Sequence, residues 1–262
     1  MITYNIIRNN YEKSITFEKA LIAELDQENF QVDVKNPKYV FVIGGDGTFL
    51  RATSLYNQIL NDVIFVPFNS GGVGYYTNKN RMIDLANIKT RIINEVKKPI
   101  EYDLLEVVID NKKTYVVNEI KMGNSSHPIE FVISINDVFL EKFKGEGVCA
   151  STATGSTGYM RSVGGSIILP KNQGIYEFIE IAPINSNRYR TLNSSIILTK
   201  NDVLSLETPS EFYVFQDTIK QKLKNKKIII KIAEAKLKII SNFVTNNETK
   251  ILRNVFVQDD LD

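Results

Sequence analysis

The chain of 262 residues carries 32 basic and 30 acidic side chains, a net charge of +2, and is 43% hydrophobic and 24% charged, the balance of an ordinary globular protein. Its even charge gives no global attraction to nucleic acid, no apolar run approaches the ~20 residues of a membrane-spanning helix, and one cysteine (Cys149) with one histidine (His127) excludes internal disulfides, Cys/His zinc sites and iron–sulfur clusters. No basic region followed by an apolar stretch opens the N-terminus, so a cytoplasmic protein free of membranes is expected.

Residues 2–7 read as a strand and 15–25 as a helix, with Phe17, Ala20, Leu21, Ile22 and Leu25 on one side at spacings of three and four. A short strand over 31–34 follows. The apolar run 39–43 (YVFVI) suits a strand covered on both faces and stops at Gly44-Gly45, after which a helix should begin near Thr48. Residues 62–68 (DVIFVPF) repeat the pattern before Gly71, Gly72 and Gly74, and a helical stretch spans 82–96. Strands alternating with helices predict an α/β N-terminal domain with a mostly parallel sheet.

Beyond Pro99 the pattern becomes β: residues 104–110, a turn at Asn111-Lys112-Lys113, residues 114–122 (TYVVNEIKM), and 129–143, where Ile129, Phe131, Ile133 and Ile135 alternate with Glu130, Ser134 and Asn136. A chain of this size sits where single cores give way to two domains. The expected organisation is an α/β domain over 1–99 and a mostly-β domain over 100–262, whose final stretch, from residue 238 on, packs back on the first. The lysine-rich run 220–227 (KQKLKNKK) reads as a solvated hairpin face.

The strongest chemical signal is Gly44-Gly45-Asp46-Gly47-Thr48 between a buried strand and a helix N-terminus, where open backbone and the helix dipole suit phosphate. A carboxylate would repel a phosphate, so Asp46 implies a metal or a proton to accept; the plainer alternative is an Asp capping its helix. The sequence holds no GxxxxGK[ST] and no third glycine after Gly45-Asp46-Gly47, which excludes a P-loop and a Rossmann fingerprint. No GxSxG elbow exists for His127 to serve. A second glycine-rich loop runs from Asn69 through Gly74 to Tyr75, and a third from Lys144, Gly145 and Glu146 into a Ser/Thr/Gly segment containing Thr154, Thr157, Gly158 and Tyr159; both suit a nucleotide pocket, with flexible loops as the alternative. Asn118-Glu119, inside an apolar β run, need hydrogen-bond partners that sugar hydroxyls would supply.

Together these residues resemble the NAD kinase family, whose motifs are a GGDGT loop, an NxGxLGF loop, an Asn-Glu pair and a long segment of the form GDGxxxSTPxGSTAYxxSxGG. Here they stand as residues 44–48, 69–75, Asn118-Glu119 and 145–165 (GEGVCASTATGSTGYMRSVGG), in the family's order and over most of the chain. The resemblance implies phosphorylation of the adenosine-side 2′-hydroxyl of NAD by ATP, with Mg²⁺ or another divalent cation. Carried over by position, Asp46 is the proton acceptor, flanked by Gly44, Gly45, Gly47 and Thr48 at the phosphates, with Asn69, Gly74 and Tyr75 in the second loop. Asn118 and Glu119 hold ribose. Lys144, Glu146, Thr154, Thr157, Gly158, Tyr159 and Ser162 line the adenine and nicotinamide parts, and Ala182 and the segment Gln216-Asp217-Thr218 match later contacts more loosely.

The chain departs from the family pattern at Glu146 (usually Asp), Lys144 (often Arg), Gly158 (usually Ala) and Thr218 (usually Gly), with conservative changes at Val73 and Tyr75. The resemblance further implies a homotetramer built as a pair of dimers, and the strands over 129–135 and 228–232 offer apolar faces that one small domain would leave uncovered. Two other functions fit part of the pattern. A lipid kinase would share the GGDGT loop but lack the GSTGY-type segment, and a non-catalytic NAD-binding regulator would not need Asp46.

Overall fold

The computed structural model describes residues 2–26, 30–71, 74–77, 99–124, 126–169 and 171–240, with 249, 252–253 and 256–257. The expected helix over 82–96, Gly72, Val73 and most of the stretch after 240 lie outside the described residues. The chain divides into two compact units, residues 1–101 with 237–262, and residues 102–236.

In the first unit β1 (Ile2–Arg8), β2 (Phe30–Val32), β3 (Tyr39–Gly44) and β4 (Ile64–Asn69) pair in parallel in the order β4-β3-β1-β2. The end of the last strand, β14 (Ile219–Ile239), joins β4 in parallel with Lys238 opposite Ile64. Val40, Phe41, Val42 and Ile43 are all buried, which accounts for the unbroken apolar run of β3. Helix α1 (Glu12–Leu25) packs against β1 and β3 through Ser14, Phe17, Leu21 and Leu25. That stripe is narrower than the sequence suggests: Ala20 and Ile22 turn outward, because the i, i+4, i+8 row through Phe17, Leu21 and Leu25 already fills the face. Helix α2 (Asp46–Leu55) starts two residues before Thr48, and its Phe49 stacks on Tyr76 at 4.6 Å.

The second unit contains β5 (Ile100–Ile109), β6 (Lys112–Val116), β7 (Glu119–Gly123), β8 (Ile129–Ile135), β9 (Val138–Gly145), β10 (Gly147–Thr152), the four-residue helix α3 (Tyr159–Ser162), β11 (Ile175–Ile181), β12 (Ile196–Thr199), β13 (Leu204–Gln216) and most of β14. The strand order is β12-β11-β10-β7-β13-β14, antiparallel in every pair of known register, with β8 and β9 added on β13. β13 pairs with β8 through Leu204–Glu207 and with β7 through Tyr213–Gln216, and its register shifts between Thr208 and Glu211. Pro209, which has no amide to donate, occupies that irregularity. One strand thus serves two sheet faces that share a core of Ile120, Met122, Phe131, Phe143, Phe212 and Val214 among others.

Three expectations change here. The first turn is Asp110-Asn111, both with positive φ as a two-residue hairpin requires, and Lys112 and Lys113 already belong to β6. Residues 114–122 form two strands rather than one, broken at Val117-Asn118. The apolar faces of residues 129–135 and 228–232 are not left open: Ile129, Phe131, Ile133, Ile228, Ile230 and Ile232 are buried in the unit's own core, so they offer no argument for assembly. The α1 register has a direct test. Leu21→Ala should lower stability by about 2–5 kcal/mol, whereas Ile22→Ala, at a side chain 37% exposed, should stay within about 0.5 kcal/mol, both read by denaturant unfolding.

Candidate active site

In the first unit, β3 delivers Gly44 and Gly45 to the start of α2, and Gly45 caps the helix with no side-chain bond. Asp46 does not cap its helix. Its carboxylate reaches the second glycine-rich loop, where Oδ2 accepts the Tyr75 amide at 2.6 Å and Oδ1 accepts the amides of Tyr76 at 3.0 Å and Thr77 at 3.3 Å, with the Thr77 hydroxyl at 3.4 Å. Four donors converge on this one carboxylate and fix its orientation. Gly74 has to be glycine because a Cβ there would collide with Thr77 Oγ1 and stand 3.0 Å from Asp46 Oδ1. Asn69 turns the same loop by accepting the Gly71 amide at 2.7 Å. Gly47 is exposed at the first turn of α2, and the Thr48 side chain packs over Gly44.

In the second unit the site grows from the strand break. Asp217, in a left-handed turn, accepts the amides of Val117 at 2.8 Å and Asn118 at 2.7 Å, and its own amide donates to the Glu119 carbonyl. From the other side Thr152 Oγ1 donates to the Val117 carbonyl at 2.7 Å and accepts the Gly155 amide at 2.9 Å. Gly155 lies so close to the Asn118 backbone that no Cβ would fit. Ser156 and Thr157 tie the turn to itself through the carbonyls of Ala153 and Thr154.

Side chains alternate along β7 and β13, so Ile120, Met122, Phe212 and Val214 enter the core while Glu119, Lys121, Tyr213 and Phe215 share the opposite face. That face lines two cavities. One of about 240 Å³ is bounded by Glu119, Lys121, Tyr159, Phe215 and Asp217. The other, of about 250 Å³, is bounded by Lys121, Gly123, Asn124, Glu146, Ile181, Tyr213, Phe215 and Lys220. Glu119 Oε2 and Thr154 Oγ1 are buried without a hydrogen-bond partner among the described residues. Burial, aided by the Asp217 charge, pushes the Glu119 carboxyl up to about 7, and burial raises Asp217 to about 6 against the lowering effect of its backbone donors.

Glu119, Tyr159 and Asp217 therefore meet at one cavity and Glu146 at its neighbour, while Thr154, Thr157 and Gly158 belong to the turn beside Asn118. Gly158, where the family usually has Ala, faces Glu119: a Cβ would sit 3.2 Å from Oε2. Other expected residues stand apart. Lys144 does not line either cavity; it pairs with Glu130 at 3.1 Å and lies over the Tyr189 ring, and the Tyr189 hydroxyl with Lys142 draws Glu130 down to about 2. Ser162 is exposed at the end of α3, Ala182 takes a positive φ just past β11, and Thr218 sits in the turn after Asp217, which itself supplies the left-handed residue a glycine would otherwise provide. Lys121, Tyr213 and Phe215 carry no motif signal in the sequence, though the period-two pattern that puts Ile120 and Met122 inside points Lys121 to the other face, and Lys220, from the lysine-rich run read as a solvated hairpin face, lines the second cavity over the Tyr213 ring.

Residues 117–241 match the ATP-NAD kinase C-terminal domain. The NAD kinase of Lactobacillus helveticus is 30% identical over 261 residues, 97% of this chain and 96% of that protein, and the NAD kinase of Enterococcus faecalis is 32% identical over 222 residues, 82% and 83%. The chain belongs to the NAD kinase family. The family fold is also seen in a crystal structure of yeast NADH kinase complexed with NADH, at a TM-score of 0.82 and 19% identity over 100% of this chain and 89% of that one. An NAD kinase from Archaeoglobus fulgidus in complex with ATP gives a TM-score of 0.73 and 18% identity over 98% and 97%. These relatives lend no support to the lipid-kinase alternative or to a non-catalytic regulator.

For this member of the NAD kinase family, the raised Glu119 carboxyl has a consequence for stability. A carboxyl whose folded value lies above its unfolded one contributes stability at pH below about 4.5 that is lost as pH rises through about 7. The melting temperature of the ligand-free protein should fall between pH 5 and 8, and Glu119→Gln should flatten that fall. Parallel curves for the two proteins would contradict the assignment.

Proposed function

We propose that this chain transfers the γ-phosphoryl group of ATP to the 2′-hydroxyl of the adenosine-side ribose of NAD, forming NADP and ADP. The observation that supports this most is the Glu119 cavity: a buried carboxylate oxygen without a partner, beside an aromatic ring, offers what a ribose hydroxyl needs. Asn118 and Glu119 hold the ribose, Tyr159 packs against the nucleoside, Thr154 and Thr157 contribute polar groups around it, and Glu146 contributes one in the neighbouring cavity. Asp46 accepts the 2′-hydroxyl proton as the new O–P bond forms and the bond to the β-phosphate breaks. Amides at the start of α2, from Gly45 to Gly47, face the triphosphate.

The divalent cation fits as part of the ATP substrate. Among the described residues no group of three or more His, Cys, Asp or Glu is placed to cage a metal, and Mg²⁺ is ordinarily held mostly by substrate phosphates and water. Lys144, Ser162, Ala182 and Thr218 retain only the roles that the resemblance implies. A homotetramer and a cytoplasmic location belong to the same reading; light scattering that finds a monomer across micromolar concentrations would remove the tetramer.

Asp46→Asn tests the mechanism. The amide cannot take all four donors that Asp46 now accepts, so the variant should melt at a lower temperature and lose turnover by about 10²–10⁴-fold. Its affinity for NAD by calorimetry should change far less. NADP formation at close to the normal rate would end the case for Asp46 as the base.

A further inference from the structure

The two cavities on the β7–β13 face share two residues, Lys121 and Phe215, so they are adjoining chambers with a common wall. Two lysines line these chambers, Lys220 only the second, where it lies 4.3 Å from the centre of the Tyr213 ring, and Lys121 the shared wall. The Lys121 ammonium group lies 4.5 Å from the centre of the Tyr159 ring and 5.9 Å from that of Phe215. It makes no ion pair among the described residues, although carboxylates line both chambers. Most other strand lysines on this unit differ: Lys113, Lys142, Lys144, Lys222, Lys226, Lys227, Lys231 and Lys236 each pair with an Asp or Glu. Among the described residues Lys121 is held by ring faces alone, an interaction that leaves its charge available to an incoming anion.

A dinucleotide has the matching distribution of charge. Two nucleosides with stacking rings and hydroxyl-bearing sugars flank a pyrophosphate, so the anionic part is the middle. If the ribose to be phosphorylated sits at Glu119 in the first chamber, the second, with Tyr213, Phe215 and Glu146, takes the other half, and the pyrophosphate crosses at the shared wall. We propose that Lys121 is the residue that reads the pyrophosphate of the dinucleotide and thereby separates NAD from mononucleosides. This inference rests on the reading of the Glu119 cavity as the NAD site.

The experiment compares wild type, Lys121→Gln and Lys121→Arg by calorimetry with two probes, NAD and adenosine, and by steady-state kinetics with NAD and ATP. Lys121→Gln should weaken NAD binding and raise its KM by about tenfold, the loss of one charge-assisted hydrogen bond of roughly 1.4 kcal/mol. Adenosine, which lacks phosphate, should bind both proteins equally, and the KM for ATP should stay within twofold. Lys121→Arg, which keeps the charge, should restore NAD affinity to within threefold. Lys222→Gln, which removes the same charge from an exposed pair with Glu211, should leave NAD affinity unchanged. Equal losses for NAD and adenosine would mean that Lys121 only props Tyr159, and unchanged NAD affinity would mean that it meets no phosphate; either overturns the proposal. Binding is read without turnover, so a protein that binds NAD but makes no NADP would count against the proposed kinase reaction and still decide the role of Lys121.

Discussion

The second unit depends on one broken strand. Had residues 114–122 continued as a single ladder, Asn118 and Glu119 would be ordinary strand positions with their amides paired to neighbours. The Asp217 carboxylate instead accepts the amides of Val117 and Asn118, and the Thr152 hydroxyl donates to the Val117 carbonyl, which holds Val117-Asn118 in an irregular conformation just before Glu119, which lines a cavity. The glycine at 155 follows from this, since the Ser/Thr turn must press against the same backbone. A buried carboxylate oxygen at Glu119 without a partner among the described residues costs stability. The arrangement makes sense when a ligand with hydroxyl donors completes it.

The first unit uses a carboxylate in a comparable way. Asp46 ties the start of α2 to residues 75–77, so the first and second glycine-rich loops are coupled through one side chain. A carboxylate that fastens two loops is held without freedom to turn away, and fixed placement of this kind suits phosphoryl transfer, where placement and charge matter more than covalent chemistry.

Much of the α/β part was legible in the sequence because a doubly covered strand such as β3 writes itself as an unbroken apolar run, and because glycines mark where it stops. The chemistry-bearing motifs were legible as residue types. Their partners were not. Asp217 pins residues a hundred positions earlier, and Lys121 meets Tyr159 and Phe215 only after β7 is seated between β10 and β13. Alternation likewise tells that Ile129, Phe131 and Ile133 bury one face but not what covers it; the cover turned out to be the unit's own strands, not a second copy. The start of α2 at Asp46 was missed for a related reason, since the side chain that looked like a cap is engaged in another loop.

The central claim is that this chain forms a new phosphate monoester on the 2′-oxygen of NAD. Purified protein incubated with ATP, Mg²⁺ and NAD should yield a product that an NADP-specific dehydrogenase reduces, with ADP released one for one and phosphorus resonance placing the new phosphate on the 2′-position. Tight binding of NAD with no such product, or ADP release with the phosphate on another acceptor, would contradict the account.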